Sequence, residues 1–312
     1  MPLIASTPPK VLVTGASGLL GRAVYKRLRE GGFDVIGTAF TRAVGDLQKL
    51  DLVDFEAMEA FVQAQRPNAI IHCAAERRPD VAQNNREAVL TLNVSAASTL
   101  AECARSISAW FLYISTDYVF DGTSPPYNVN DPPHPLNFYG ETKLAGEQTV
   151  LEAYPDAAIL RLPILYGETE YNSESAVNCL IDVIKDTDKP TQMDDFQLRY
   201  PTNVADIARV ITRMTEKATL SNPDAPSSSS SLLTGPFHYS ASETWTKYGM
   251  CVAIADILNL PIKHLDPLRE APKEPIASRP HDAHLATIRL EDVGIDTSHV
   301  PFVEWWRDYL LR

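Results

Sequence analysis

The sequence predicts an α/β fold, a doubly wound parallel sheet with a smaller C-terminal lobe. Three observations predict it. An apolar strand, Val11-Leu-Val-Thr14, runs directly into glycines at 15, 18 and 21. Strand-like and helix-like segments alternate through the first half. After Pro163 the alternation loosens and prolines accumulate.

Lys10–Thr14 reads as the first strand. The stretch 19–30 carries apolar residues at 20, 23, 24 and 28, a helical spacing that Gly31-Gly32 closes. Residues 34–38 read as a second strand, Asp54 as the N-cap of a helix to about Gln65, and 68–74 as a buried strand. A long helical stretch is expected from about Asn84 to Arg105, followed by a strand at 110–115. A helix at 139–153 and a strand at 157–162 complete the alternating part. This order specifies a Rossmann-type sheet with helices on both faces.

Residues 10–168 form the expected nucleotide-binding domain. Residues 169–312 form the expected smaller lobe, with the chain returning to the sheet near 201–214. Helical spacing resumes at 246–258 and again at 302–311. The serine-rich run at 221–231 reads as a loop.

The 312 residues are 45% hydrophobic and 22% charged, ordinary for a globular protein. A net charge of −12 argues against nucleic acid or an anionic membrane surface as partner. The four cysteines, at 73, 103, 179 and 251, have neither zinc-site nor disulfide-framework spacing, so no metal is expected and reduced thiols are. With neither a secretory leader pattern nor a membrane-length apolar run, a cytoplasmic location is expected.

The glycine pattern is that of a dinucleotide-binding turn. Gly15 permits a tight turn, Gly18 lets the backbone approach a pyrophosphate, and Gly21 lets the helix lie close to the strand. The helix N-terminus then offers free N–H groups and partial positive charge to phosphate. The second strand leads into Gly37-Thr-Ala-Phe-Thr-Arg42, which has an arginine and no acid. That favours the 2′-phosphate of NADP(H) over the 2′-hydroxyl of NAD; the alternative for Arg42 is a solvated surface charge. Asp51 and Leu52 are placed to border the adenine.

Tyr139 and Lys143, four apart on a helix, lie on one face. A nearby ammonium favours the phenolate and makes the phenol a proton donor or acceptor near neutrality, and the lysine can bond the nicotinamide ribose. Thr116 closes the preceding strand, where it can bond a substrate carbonyl, with Asp117 beside it. Together these residues point to hydride transfer between NADPH and a ketone. His72, in an apolar strand, reads as a core histidine. The charged run 76–80 reads either as a ligand-phosphate site or as an internal salt-bridge cluster.

Ser115-Thr-Asp-Tyr-Val-Phe-Asp-Gly122, Tyr139-Gly-Glu-Thr-Lys-Leu-Ala-Gly-Glu147 and Arg161-Leu-Pro-Ile-Leu-Tyr-Gly167 resemble the extended short-chain dehydrogenase/reductases. The resemblance falls in the branch containing dTDP-4-dehydrorhamnose reductase. Within it, Cys73-Ala-Ala-Glu-Arg-Arg-Pro-Asp80, Pro163-Ile-Leu-Tyr-Gly-Glu168 and Thr246-Lys-Tyr-Gly-Met-Cys-Val-Ala-Ile-Ala-Asp256 look most like regulatory β subunits of methionine adenosyltransferase. The resemblance implies NADP binding and a methionine adenosyltransferase catalytic subunit as partner. Two departures stand out: Thr116 where β subunits have serine, and only ten residues after Pro301-Phe302, an ending nearer the reductase pattern. Trp305, Trp306 and Tyr309 form either a partner patch or a helix packed on its own lobe.

The candidate catalytic residues are therefore Thr116, Tyr139 and Lys143. The candidate cofactor residues are Gly15, Ser17, Gly18, Leu19, Leu20, Gly21, Arg42, Asp51, Leu52, Cys73, Ala74, Ala75, Asn93, Tyr139, Lys143 and Pro163. The favoured function is an NADP-binding regulatory subunit that modulates S-adenosylmethionine synthesis. The alternative is an NADPH-dependent reductase of a nucleotide-linked 4-keto-6-deoxy sugar. A third reading is a redox sensor that changes shape around residues 169–200.

Overall fold

A computed structural model describes residues 7–220, 233–271 and 278–312, so the serine-rich run lies outside the described residues. The fold is set by which apolar strands lie side by side. β1 (Lys10–Thr14), β2 (Asp34–Ala39), β3 (Gln48–Lys49), β4 (Ala69–His72), β5 (Trp110–Thr116) and β6 (Ala158–Leu162) are joined by helices. These are α1 (Leu19–Glu30), α2 (Phe55–Gln65), α3 (Pro79–Asn84), α4 (Arg86–Leu90), α5 (Ala96–Ser106) and α6 (Phe138–Ala153).

Beyond β6 follow β7 (Leu165–Tyr166), α7 (Leu180–Lys185), β8 (Thr191–Asp194), β9 (Thr202–Asn203), α8 (Val204–Thr219) and β10 (Gly235–His238). The chain ends through α9 (Lys247–Leu258), β11 (Leu265–Leu268), α10 (Ile288–Asp292) and α11 (Phe302–Leu310). The main sheet is parallel, in the order β10-β6-β5-β4-β1-β2-β3. The order reverses between β1 and β4, and a crevice opens beyond their carboxyl ends, where ligands bind in such sheets.

Both faces of the sheet are apolar. Val11, Val13, Ile71, Leu112 and Leu160 face α1 and α8, whereas Leu12, Ile70, Phe111, Tyr113 and Ile159 face α2, α5 and α6. Burial on both faces explains why these strands read as continuous apolar runs. Residues 201–214 hold β9 and most of α8, which packs on α1; the strand that extends the sheet is β10, at the far edge. A third core joins Tyr166, Leu180, Ile181 and Ile184 to Met250, Ile254, Phe302 and Trp306. The α11 helix thus packs on its own lobe through Phe302 and Trp306.

The helix caps follow the sequence. Asp54 accepts from the Ala57 amide, and Gly32 takes the left-handed conformation after α1 at φ +84. The long stretch expected at 84–105 is interrupted. It breaks at Asn85, and from 91 to 95 it widens into a π-helical turn. Such turns are frequent at functional sites. Here the turn carries Asn93, whose amide holds the backbone of Glu76 at the crevice wall. Among the described residues no helix is long and apolar enough to cross a membrane.

Candidate functional site

A cavity of about 820 Å³ runs along the carboxyl edge of the sheet, from the glycine turn to Tyr139 and on to α9. At one end the backbone itself makes the wall. Gly15 sits at φ +67, and a Cβ there would lie 2.8 Å from the Ala74 backbone. A Cβ on Gly21 would lie 2.1 Å from the Gly15 carbonyl oxygen, so only glycine lets α1 start this close to β1. Gly18 caps α1 without a side-chain bond, and the first turn holds no acid. Free N–H groups and the positive helix end therefore face the cavity, and this cradle fits a pyrophosphate.

Ser17, Leu19, Leu20, Leu52, Cys73, Ala75 and Pro163 line the same cavity, as do Asp51 and Phe40. Arg42 also lines the cavity, but its Nη1 pairs with Glu174 at 2.7 Å. Asn93 lies behind the wall. Its side chain is spent on the Glu76 amide and carbonyl and on the Thr142 hydroxyl. It acts on the cavity only through that backbone.

The chemical end is built by β5 and α6. Asn137 caps α6 by accepting from the Gly140 amide, and the helix presents Tyr139 and Lys143 to the cavity one turn apart. Thr116, at the end of β5, donates to Asp117 Oδ1 at 3.0 Å and lies within hydrogen-bonding reach of the Tyr139 phenol. Burial raises the Tyr139 pKa above that of an ordinary phenol, and the Thr116 contact only partly offsets this. The phenol is therefore a protonated donor. Lys143 is 2% exposed, and burial lowers its pKa to about 7 against the opposing pull of Glu147 and Cys73. The expected support of a phenolate by a full neighbouring ammonium is correspondingly reduced, since the same burial leaves the lysine only partly charged near pH 7. Asp117, half-buried, is raised to about 7 by desolvation.

The far end joins Arg77, from the charged run, to three residues that sequence reasoning missed, Arg199, Lys247 and Arg279. The four come from the loop after β4, the approach to β9, the start of α9 and the segment before α10. Burial lowers the Lys247 pKa, and Arg199 and Arg279 add to the effect, the mark of clustered positive charge. The only signal in the sequence was Arg77, inside the charged run. One pair is internal to that run, Glu76 with Arg78 at 2.9 Å, whereas Asp80 pairs outside it with Arg279 at 3.2 Å. His72 is a core residue, bonded through Nδ1 to the Thr14 hydroxyl at 2.7 Å and lowered to about 3 by burial.

A glycine cradle at the switch point and a Thr-Tyr-Lys group facing the same cavity define a reductase-like protein of the Rossmann type. The chain belongs to the RmlD substrate binding domain family, which it matches over residues 9–306. It is 46% identical over 301 residues to methionine adenosyltransferase 2 subunit beta of Danio rerio, covering 96% of this chain and 90% of that protein. It is 42% identical over 163 residues to a dTDP-4-keto-6-deoxy-D-glucose reductase of Streptomyces niveus, covering 52% of this chain and 54% of that protein. A crystal structure of dTDP-4-dehydrorhamnose reductase from Bacillus anthracis in complex with NADP superposes with a TM-score of 0.81. That pair is 26% identical, over 98% of this chain and 99% of the other.

Proposed function

We propose that this protein is an NADP(H)-binding, reductase-like regulatory subunit that acts in the cytoplasm on a methionine adenosyltransferase catalytic subunit and so modulates S-adenosylmethionine synthesis. The carrying observation is similarity to the β subunits along nearly the whole chain, through both lobes rather than the nucleotide cradle alone. We take residues 10–168 as the cofactor-binding unit and 169–312 as the lobe that meets substrate or partner. The test is the catalytic subunit's steady-state rate across methionine concentrations, with and without this protein. A changed methionine KM or a changed product inhibition supports the reading, and superimposable curves remove it.

The cradle fits a dinucleotide: Gly15, Gly18 and Gly21 admit the pyrophosphate, Asp51 and Leu52 border the adenine, and Arg42 meets the ribose phosphate. A bound nicotinamide cofactor supplies a hydride donor or acceptor. Tyr139 would give a proton to the carbonyl oxygen being reduced, Thr116 would hold that oxygen, and Lys143 would bond the ribose.

One observation favours a second reading. Thr116, Tyr139 and Lys143 share a cavity with Arg77, Arg199, Lys247 and Arg279, a cation cluster suited to the diphosphate of a nucleotide-linked 4-keto-6-deoxy sugar. NADPH oxidation on such a sugar would establish the reductase. Inactivity across a panel of nucleotide-linked keto sugars would leave the regulatory reading alone.

A further inference from the structure

Three guanidinium groups from separate parts of the nucleotide-binding half converge on one residue beyond β7. Arg22 lies in α1, Arg42 follows β2 and Arg77 follows β4. All three reach Glu174, in the short turn Asn172–Glu174. Arg22 grips its carboxylate with both terminal nitrogens, Nη1 to Oε1 at 2.9 Å and Nη2 to Oε2 at 2.5 Å. Arg42 donates from Nη1 to Oε1 at 2.7 Å. Arg77 donates to the main-chain carbonyl of the same residue.

Glu174 is 3% exposed. Burial works against its ionisation, but the bonds from Arg22 and Arg42 outweigh that and bring its pKa down to about 2. It is a carboxylate at every physiological pH.

The two arginines on this carboxylate are not equivalent. Arg22 is tied by Nη1 and Nη2, with Nη1 also donating to the Ser17 carbonyl. Arg42 is 40% exposed, lines the cavity, and makes all its bonds through Nη1, including weaker ones to Glu170 and Tyr171. Its Nε and Nη2 bond no other described residue. A guanidinium held by one nitrogen keeps the rest of its planar fork for an incoming anion. Glu174 Oε2 is meanwhile satisfied by Arg22 and by the Glu170 amide at 3.0 Å, so the carboxylate is anchored without Arg42.

We infer that Glu174 is a positioning residue for cofactor choice: by pinning Arg42 through Nη1 it presents Nε and Nη2 to the 2′-phosphate of a dinucleotide. The inference rests on the dinucleotide reading of the cavity. It also ties cofactor identity to the rest of the molecule, because Ser175 and Ala176, next to Glu174, line the cavity and lead into α7. A 2′-phosphate is thereby registered on both sides of the crevice, whereas the unphosphorylated dinucleotide leaves this contact unused.

The test is a fluorescence titration of the full-length protein with NADPH and with NADH, for wild type, Glu174→Gln, Glu174→Asp and Arg42→Met. The expected result is at least tenfold weaker NADPH binding in Glu174→Gln, with NADH binding unchanged within twofold. Arg42→Met should lose the preference to the same extent, and the double variant no further. Glu174→Asp keeps the charge at shorter reach and should give an intermediate ratio; it also serves as the readout if the glutamine variant does not fold.

Tighter NADPH binding in Glu174→Gln would make the carboxylate a competitor of the phosphate and overturn the inference. Equal weakening of both dinucleotides would overturn it too, reducing Glu174 to a structural prop. Failure of the wild type to bind either dinucleotide would overturn the cavity reading itself, a result distinct from any change in ratio.

Discussion

Lys143 Nζ lies 3.8 Å from the centre of the Tyr113 ring, so the amine that faces the cavity on α6 is backed by an aromatic face rather than by a carboxylate. Burial in that position brings its pKa from 10.5 to about 7. Between those values the unfolded chain binds a proton that the folded chain does not. This lysine therefore makes stability rise with pH from about 7 to 10.5, and its full cost is felt below pH 7. The difference in Tm between Lys143→Met and wild type should accordingly be largest near pH ~6, in favour of methionine, and shrink by pH ~9. A difference independent of pH would show that the lysine is not discharged by burial.

Gly21→Ala should destabilise the protein by about 1–3 kcal/mol, because the new methyl meets the Gly15 carbonyl, which is backbone and has little room to yield. Dinucleotide binding should fall with it, as the first turn of α1 is pushed off the cradle. Thermal melts and a cofactor titration of the same preparation check both halves. Normal stability would mean that the helix approaches less closely than described.

Tyr139→Phe should leave dinucleotide affinity within a few-fold of wild type. Any turnover of a keto sugar should fall by roughly 10²–10⁴, the usual contribution of a positioned acid. Retained turnover would move the proton donor elsewhere, with the half-buried Asp117, raised to about 7, as the next group to replace.

Trp306→Ala should cost about 3–5 kcal/mol, since the ring is fully buried against Tyr166 and Phe302. Leu311→Ala, on an exposed side chain, should stay within about 0.5 kcal/mol. Denaturant melts separate the two. A silent Trp306→Ala would argue that α11 is free to serve as a partner patch.

Much of this fold was legible because the local signals agree with one another. Apolar runs in β1, β4, β5 and β6, the capping residue at Asp54, and glycines at 15, 18 and 21 each point to one structure, and each formed as expected. β10 escaped notice because Gly-Pro-Phe-His carries no strand signal; proline is tolerated there because β10 is an edge strand with β6 as its one neighbour. The interruption at Asn85 and the widened turn at 91–95 were hidden inside a continuous helical pattern. Of the site, the cradle and the Tyr139–Lys143 pair are local spacings and could be read directly. Arg199, Lys247 and Arg279, like the meeting of Arg22, Arg42 and Arg77 on Glu174, depend on segments that approach only through tertiary packing. No spacing in one sequence encodes them.

A reductase-like chain that works by binding a methionine adenosyltransferase catalytic subunit must form a complex with it. Size-exclusion co-elution of the NADPH-loaded protein with the catalytic subunit of the same organism, at micromolar concentration, decides whether it does. One stoichiometric peak, earlier than either component, is expected. Two peaks at the positions of the separate proteins would refute the regulatory reading.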